Sequence, residues 1–351
     1  MTIVAFIIIF GVIVIAHELG HFLLAKKNGI KVNEFAIGMG PALFKKKMGD
    51  TVYAIRLLPI GGACVFEGED GNYEGEHKEG DIVEGSFNSV GVWARIACVL
   101  AGPFFNIILA LLLSFILLSF SGTDLPVIQG ITEGYPASEA GIKEGDVITK
   151  MNGSNIKLYR EITLASMLNA GDDFDIQYKR DGEVYNTTIT PMYDEETARY
   201  YIGFTGVGEY YEPSGFEIIK YGYYEVRFSL ISTIKGLSML LTGSLDKDDV
   251  AGPVGMVVMV DDIIEGASPY GIMSVILTLI NFAILISVNL GIMNLLPIPA
   301  LDGGRLVFLL IEVVRGKPIS PQKEGFVHLL GFVALLVIMV LVLFNDISKF
   351  F

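Results

Sequence analysis

Apolar residues dominate four stretches of the chain, each long enough to cross a bilayer as a helix. A hydrocarbon core needs about 20 helical residues, and the four stretches are residues 3–25, 93–120, 272–296 and 326–344. The first has no basic segment before it and no small-residue cleavage site, and it runs directly into Lys26 and Lys27, which is not typical of a signal peptide. The pattern therefore predicts a polytopic α-helical membrane protein with four transmembrane helices.

Basic residues indicate the orientation of these helices, because loops rich in lysine and arginine stay on the cytoplasmic side. Lysines follow the first stretch at Lys26, Lys27, Lys31, Lys45, Lys46 and Lys47. The segment between the third and fourth stretches contains Arg305, Arg315, Lys317 and Lys323. Both loops are expected in the cytoplasm, so the acidic segment between the second and third stretches is expected outside the membrane.

Three segments outside the apolar stretches have patterns of their own. Short β-prone runs around Pro59, Gly61 and Gly62 predict a membrane-associated β-hairpin at residues 51–66. An acidic, glycine-rich loop follows over residues 67–90. Residues 207–271 mix aromatic and aliphatic side chains with charged ones, which favours an interfacial amphipathic segment over a span. The predicted parts are a membrane half (1–121), a soluble module (122–206), this interfacial segment and a second membrane half (272–351).

Composition agrees with a membrane protein and narrows the chemistry. The 351 residues are 52% hydrophobic and 18% charged, with a net charge of −14, which excludes a soluble globule and a nucleic-acid partner. Cys64 and Cys98 are the two cysteines of the chain, too few for a disulfide scaffold or a cysteine-rich metal site. A metal would therefore need histidine and carboxylate ligands, and the four histidines are His17, His21, His77 and His328.

Two of these histidines belong to the pattern His-Glu-x-x-His inside the first apolar stretch. His17 and His21 are four residues apart, so they share one helical face and can bind the same zinc ion. Glu18 lies between them, and a carboxylate within a membrane span costs about 2.5–3.5 kcal/mol on insertion scales. A polar pair that joins helices is the alternative, but the complete motif favours a metal site.

A catalytic zinc needs a third protein ligand. Asp302 is the preferred candidate, because Pro297, Pro299 and the two following glycines must interrupt the third helix beside it. His77 in a charged loop and His328 in the last span are weaker candidates. His17 lies 14 residues after Ile3, about 21 Å into a core about 30 Å thick. The site is thus expected near the cytoplasmic face, where Asp302 arrives from the third helix.

Three motifs together resemble the bacterial RseP-type site-2 proteases, which are zinc intramembrane metalloproteases. The motifs are HELGH in the first span, Gly102-Pro-Phe-Phe-Asn106 in the second, and Asn294-Leu-Leu-Pro-Ile-Pro-Ala-Leu-Asp302-Gly-Gly at the end of the third. The resemblance covers nearly the whole chain and implies one zinc ion held by His17, His21 and Asp302, with Glu18 as the catalytic base. It also implies that residues 53–66 are the family hairpin and that Gly252-Pro-Val-Gly255 is its GPVG segment.

The resemblance extends to residues that would contact substrate. It implies that Asn106 and Asn294 line the site, where either amide could donate a hydrogen bond to an oxyanion or to the substrate backbone. A merely interhelical role is an equal alternative for Asn106. Pro297, Pro299, Gly61 and Gly62 are further substrate-binding candidates. The hairpin could hold an unwound substrate as an added strand, or it could only close the cytoplasmic side.

The soluble module contains a second recognisable pattern. Residues 136–148, with Asn152-Gly153 after them, resemble the PAxxAGIKxGDxI…NG signature of bacterial PDZ domains. The fold class is therefore expected to be a helical membrane protein with an inserted extracytoplasmic PDZ domain of mixed α/β structure. A single copy leaves open whether the module binds peptides or only limits substrate size.

These features favour an intramembrane zinc endopeptidase in the bacterial cytoplasmic membrane. Its expected substrates are single-pass membrane proteins or remnant signal peptides, already cut by a site-1 protease. One alternative is a membrane-anchored zinc protease that acts on soluble or misfolded proteins, which would need a third ligand on a soluble helix. The other is a catalytically inactive PDZ scaffold, which the presence of every expected catalytic residue disfavours.

Overall fold

The computed structural model describes residues 1–69, 83–169, 171–195, 199–243 and 251–350. It contains two compact units, the first made of Met1–Leu113 and Thr233–Phe351 and the second of Ser114–Ser232. The chain begins with a long helix, continues through two long strands and reaches a second long helix after a 3₁₀ turn at Phe87–Ser89. These elements are α1 (Thr2–Lys27), β1 (Val32–Met48), β2 (Thr51–Phe66) and α2 (Val92–Phe120).

Strands β1 and β2 form one hairpin whose turn lies at Gly49 and Asp50. Gly49 has a φ of 62°, which glycine adopts without steric cost. Within this hairpin, Phe35 of β1 is registered with both Cys64 and Tyr53 of β2, so β2 folds back along β1. The predicted hairpin confined to residues 51–66 is therefore wrong, because those residues form a single bent strand that pairs with residues 32–48.

The described ends of the predicted acidic loop pack against the protein. Glu67 is 2% exposed, and its Oε2 accepts a hydrogen bond of 2.7 Å from the Asn33 side chain. The ring of Phe87 stacks on Phe66 with centroids 5.5 Å apart. The middle of the loop, residues 70–82 with His77, lies outside the described residues.

The strands of the second unit, in chain order, are β3 (Thr123–Leu125), β4 (Gly130–Ile131), β5 (Val147–Met151), β6 (Ser154–Asn155), β7 (Phe174–Arg180), β8 (Glu183–Ile189), β9 (Met192–Asp194), β10 (Arg199–Tyr201), β11 (Phe204–Thr205) and β12 (Glu209–Tyr211). Four of these strands form an antiparallel sheet in the order β6-β5-β7-β8. Two helices join them, α3 (Pro136–Glu139) and α4 (Tyr159–Met167). Buried Phe174, Ile176 and Ile148 of the sheet share one core with Ile162 of α4.

This module extends beyond its predicted end at residue 206. Strand β12 pairs with β3, with Tyr210 opposite Asp124. Helix α5 (Glu217–Thr242) follows, and Arg160 of α4 binds both Asp124 and Glu225, the latter at 2.8 Å. Glu225 is 3% exposed, so this ion pair is internal, and the first part of the predicted interfacial segment belongs to the module.

The remaining helices are α6 (Pro253–Ala267), α7 (Ile272–Asn294), α8 (Asp302–Arg315) and α9 (Pro321–Phe350). Within the described part of the chain, α1, α2, α7 and α9 are long and apolar enough to cross a membrane, in agreement with the predicted four. The interruption predicted in the third apolar stretch is also present, because α7 ends at Asn294 and α8 begins at Asp302. The GPVG segment opens α6, where the amides of Gly252 and Gly255 donate to the buried Asp346 carboxylate.

Candidate metal centre

Helix α1 and the start of α8 bring three metal-ligating side chains together. His17 and His21 are 8% and 7% exposed, and their Nε2 atoms are 3.2 Å apart. Oδ2 of Asp302 lies 3.2 Å from Nε2 of His17 and 3.4 Å from Nε2 of His21. Ligands bound tetrahedrally at 2.0–2.1 Å are about 3.3–3.4 Å apart, so the triangle has the size that a zinc ion requires.

The protonation pattern of the triangle also fits a cation. His21 Nδ1 lies 2.9 Å from the backbone oxygen of Cys98, an acceptor, so the neutral ring carries its proton on Nδ1 and turns the lone pair of Nε2 to Asp302. Oδ2 of Asp302 is buried and receives no hydrogen bond. Converging lone pairs in a buried site are unfavourable without a positive ion between them. These donors therefore suit zinc in both spacing and chemistry.

Glu18 lies beside the triangle and faces a cavity of about 590 Å³. The cavity is lined by Glu18, Gly62, Cys64, Asn294, Asp302 and Arg305, among others. The backbone of Cys64 lies beside the Glu18 carboxylate. Cys64 lines the same cavity, but it does not belong to the group of described ligand atoms, those of His17, His21 and Asp302, that lie within 4.8 Å of one another.

The predicted glycine pair of β2 is at this cavity. Gly61 has a φ of 75°, a left-handed conformation that favours glycine. A Cβ at Gly62 would lie 2.7 Å from Cγ of Glu18 and 2.9 Å from a methyl of Val14. The missing side chain therefore lets the strand backbone reach the Glu18 carboxylate.

The two predicted asparagines occupy different places around His17. The Asn294 amide nitrogen lies 3.3 Å from Nε2 of His17, at the cavity. Asn106 is fully buried, its amide nitrogen is 3.3 Å from Nδ1 of His17, and it is not among the described residues that line the cavity. Pro297 and Pro299 are also absent from that lining; they shape the loop between α7 and α8.

Gly102 begins the motif of the second span, and the sequence alone predicted no role for it at the site. A Cβ there would lie 2.2 Å from Nε2 of His21 and 2.8 Å from Cε1 of His17. One residue earlier on both helices, Gly20 of α1 approaches the backbone oxygen of Ala101, which a Cβ would meet at 2.3 Å. The close approach of α1 and α2 therefore leaves space for the imidazoles only because residue 102 is glycine. The spacing of Gly102 and Asn106, four residues apart on one helical face, was the sequence feature that could have indicated that both residues face the histidines.

Comparison with known proteins gives a consistent result. The model of peptidase family M50 matches residues 5–338. The regulator of sigma-W protease RasP of Bacillus subtilis is 34% identical over 425 aligned residues, which cover 100% of this chain and 99% of RasP. The zinc metalloprotease RasP of Shouchella clausii is 35% identical over 425 residues, with 100% and 99% coverage.

A similarity to a solved structure concerns the soluble module. The PDZ domain of an SdrC-like protein from Listeria monocytogenes is 23% identical over 23% of this chain and 86% of its own, with a TM-score of 0.22. A TM-score this low does not establish the fold of the second unit. The identification of a PDZ domain stays a prediction from the sequence signature.

Proposed function

The chain belongs to peptidase family M50 and is a zinc metalloprotease of the site-2 type, and on that premise we propose that it cuts peptide bonds within transmembrane segments. The observation that carries the proposal is the location of the catalytic motif inside a candidate span. His17, Glu18 and His21 all lie within α1, and Asp302 follows the end of α7. A protease acting on soluble proteins would have no reason to place its metal ligands and base in such a helix.

His17, His21 and Asp302 would hold one zinc ion per chain. Such an ion supplies Lewis acidity, which acidifies a water molecule and polarises a carbonyl group. Glu18 is free of the ligand triangle and acts as the base, taking a proton from the attacking water and returning it to the leaving amine. Asn294 donates from its amide to the carbonyl oxygen as that oxygen gains negative charge.

The backbone of β2 is suited to hold the substrate. A helical substrate hides its amide and carbonyl groups in its own hydrogen bonds, so it must be extended before it can be cut. A Cβ at Gly62 would lie 2.7 Å from Cγ of Glu18, and Gly61 and Gly62 present bare backbone to the same cavity. This edge favours strand addition beside the catalytic carboxylate over the alternative in which the hairpin only closes one side.

The substrate class follows from the site and from the relatives. The name of RasP of Bacillus subtilis, "Regulator of sigma-W protease", describes a protease that acts on a regulator. This name supports a membrane-anchored regulator as the substrate. We propose single-pass membrane proteins or remnant signal peptides, shortened first by a site-1 protease. The proposed location is the bacterial cytoplasmic membrane, with the zinc near the cytoplasmic face.

The proposal is tested by mapping the cut in a model substrate. The purified protein is reconstituted in liposomes with a single-pass substrate of short ectodomain, and the products are identified by mass spectrometry. We expect cleavage within the hydrophobic segment and no comparable cleavage of unfolded soluble casein. Cleavage confined to soluble regions, or casein turnover at the same rate, would support the membrane-anchored soluble-protein protease instead.

We also propose that Asn106 positions His17 rather than contacting substrate. A histidine that binds metal through Nε2 carries its proton on Nδ1 and needs an acceptor there. The Asn106 amide supplies one when its Oδ1 is turned to His17, a half-turn about the terminal side-chain bond. With the amide nitrogen in that place, two donors would face each other, and Oδ1 has no partner at its own position.

Substitution of Asn106 distinguishes the two roles. Asn106→Leu is expected to weaken zinc affinity by about 10- to 100-fold, as for other lost partners of a ligating histidine. Asn106→Asp keeps an acceptor and is expected to bind zinc within a few-fold of the parent protein. Affinity is measured by competition with a chelator. If Asn106→Leu keeps the parent affinity and loses only turnover, Asn106 acts on the substrate and the positioning role is wrong.

A further inference from the structure

His328 of α9 contacts the loop that leads to the third ligand. Its Nδ1 accepts a hydrogen bond of 2.9 Å from the backbone N–H of Ala300, two residues before Asp302. A backbone N–H can only donate, so Nδ1 is unprotonated and the ring is neutral with its proton on Nε2. The side chain is 11% exposed. The sequence made His328 a weaker candidate for the third ligand, whereas in the structure its Nδ1 is an acceptor for the Asp302 loop.

The loop backbone at this contact has an uncommon conformation. Ala300 has a φ of 77° and is one of three described non-glycine residues with positive φ, with Asn152 and Asp181. Asparagine and aspartate tolerate this region, whereas alanine adopts it only when its surroundings impose it. The hydrogen bond from Ala300 to His328 is one such restraint, and it acts directly beside the ligand.

A second contact on α9 fixes the same loop. Gly331 lies three residues after His328, on the same helical face, and a Cβ there would be 2.4 Å from both the oxygen and the Cβ of Pro299. Pro299 is therefore seated in a notch of α9 that exists because residue 331 is glycine. Pro299 and Ala300 are both held by one short face of the last helix.

The opposite side of the loop is held by α8. Cβ atoms at Gly303 and Gly304 would lie 2.2 Å and 2.4 Å from the backbone oxygens of Leu296 and Ile298. The loop is thus confined between the start of α8 and the face of α9. The loop that leads to Asp302 is therefore in contact with α9 at both Pro299 and Ala300.

We propose that His328 is a positioning residue that fixes Asp302 in the zinc site through Ala300. This inference rests on the proposed zinc site, since Asp302 must be a ligand for its position to matter. Helix α9 thereby becomes part of the metal centre without supplying a ligand. Many of its other side chains, such as Leu329 at 57% exposed and Leu330 at 54%, face away from the protein. His328 and Gly331 attach the first part of α9, and Asp346 attaches its last part.

The test compares four variants in full-length protein by zinc affinity, kcat and KM. His328→Ala is expected to weaken zinc affinity about 10- to 100-fold and to lower kcat with little change in KM. His328→Asn should recover most of the affinity, because Oδ1 can accept from Ala300. Gly331→Ala should reproduce the defect with His328 intact. Leu329→Ala, one residue away on the exposed face, should match the parent protein.

Thermal unfolding in the presence of a chelator separates positioning from loss of folding. The proposal expects variants that unfold within a few degrees of the parent without zinc and differ from it in zinc affinity. Parent-like zinc affinity and kcat in His328→Ala would overturn it, and so would a His328→Asn variant as defective as His328→Ala. If the parent protein itself bound no zinc, the proposed zinc site would be wrong. That failure is seen in the parent protein alone, whereas failure of the His328 proposal is seen only in the comparison of the variants with the parent.

Discussion

Replacement of Glu18 by glutamine is expected to lower peptide-bond hydrolysis by about 10⁴-fold while zinc remains bound. The amide has nearly the shape of the carboxylate and fits the same space, but it cannot take a proton from water. The three proposed ligands are untouched. Zinc content and cleavage of a single-pass substrate, measured on the same preparation, check both parts of the prediction.

The matched control for Glu18→Gln is Glu312→Gln on α8. Glu312 is a carboxylate paired with Arg95, with one contact at 3.0 Å, and it does not line the cavity, so its loss should leave both zinc content and the chemical step nearly unchanged. Turnover by Glu18→Gln within tenfold of the parent rate would remove Glu18 from the mechanism. The same inactive variant can retain substrates, and identifying the membrane segments bound to it would define the substrate class.

Replacement of Asp302 by alanine is expected to reduce zinc affinity by more than about 100-fold, beyond the effect of losing an outer partner of a ligand. The reason is geometric. Oδ2 of Asp302 forms a triangle with Nε2 of His17, 3.2 Å away, and Nε2 of His21, 3.4 Å away. His17 and His21 alone leave the ion with two protein ligands. Chelator competition measures the loss, and cleavage should fall with zinc occupancy.

Two further variants make the Asp302 result specific. Glu312→Gln removes another carboxylate charge of α8, keeps an acceptor for Arg95 and should keep zinc, which excludes a general effect of charge on that helix. His77→Ala should also keep zinc. Retention of zinc by Asp302→Ala together with its loss from His77→Ala would show that the third ligand is His77 and that the proposed coordination is wrong.

Local sequence was sufficient for the elements whose cause is local. The four spans follow from uninterrupted apolar length, and α1, α2, α7 and α9 lie where the pattern predicts them. His17 and His21 face the same way because a helix repeats every 3.6 residues. The break before Asp302 follows from Pro297 and Pro299, which cannot continue a helix. These features needed no knowledge of what packs against them.

The position of the hairpin turn could not be predicted from local sequence. Gly49, Gly61 and Gly62 are all compatible with a turn, and residue type alone does not rank them. The choice of Gly49 depends on the pairing of residues 32–48 with 51–66, a contact between two strands. Likewise, the end of the soluble module depends on the pairing of β12 with β3. The local sequence of residues 206–211 does not predict that pairing.

The sequence by itself determined the spans, the zinc-binding motif and the candidate third ligand, because each is set by residues within a few turns of one another. Only the tertiary structure decided that Asn106 contacts His17 away from the cavity, that Gly102 leaves space for two imidazoles, and that His328 holds Ala300. Each of these contacts joins elements that are not neighbours within one helix: α1 with α2, and α9 with the loop between α7 and α8. Their distances are set by how closely the helices pack, and packing depends on surfaces that the order of residues in one helix does not reveal.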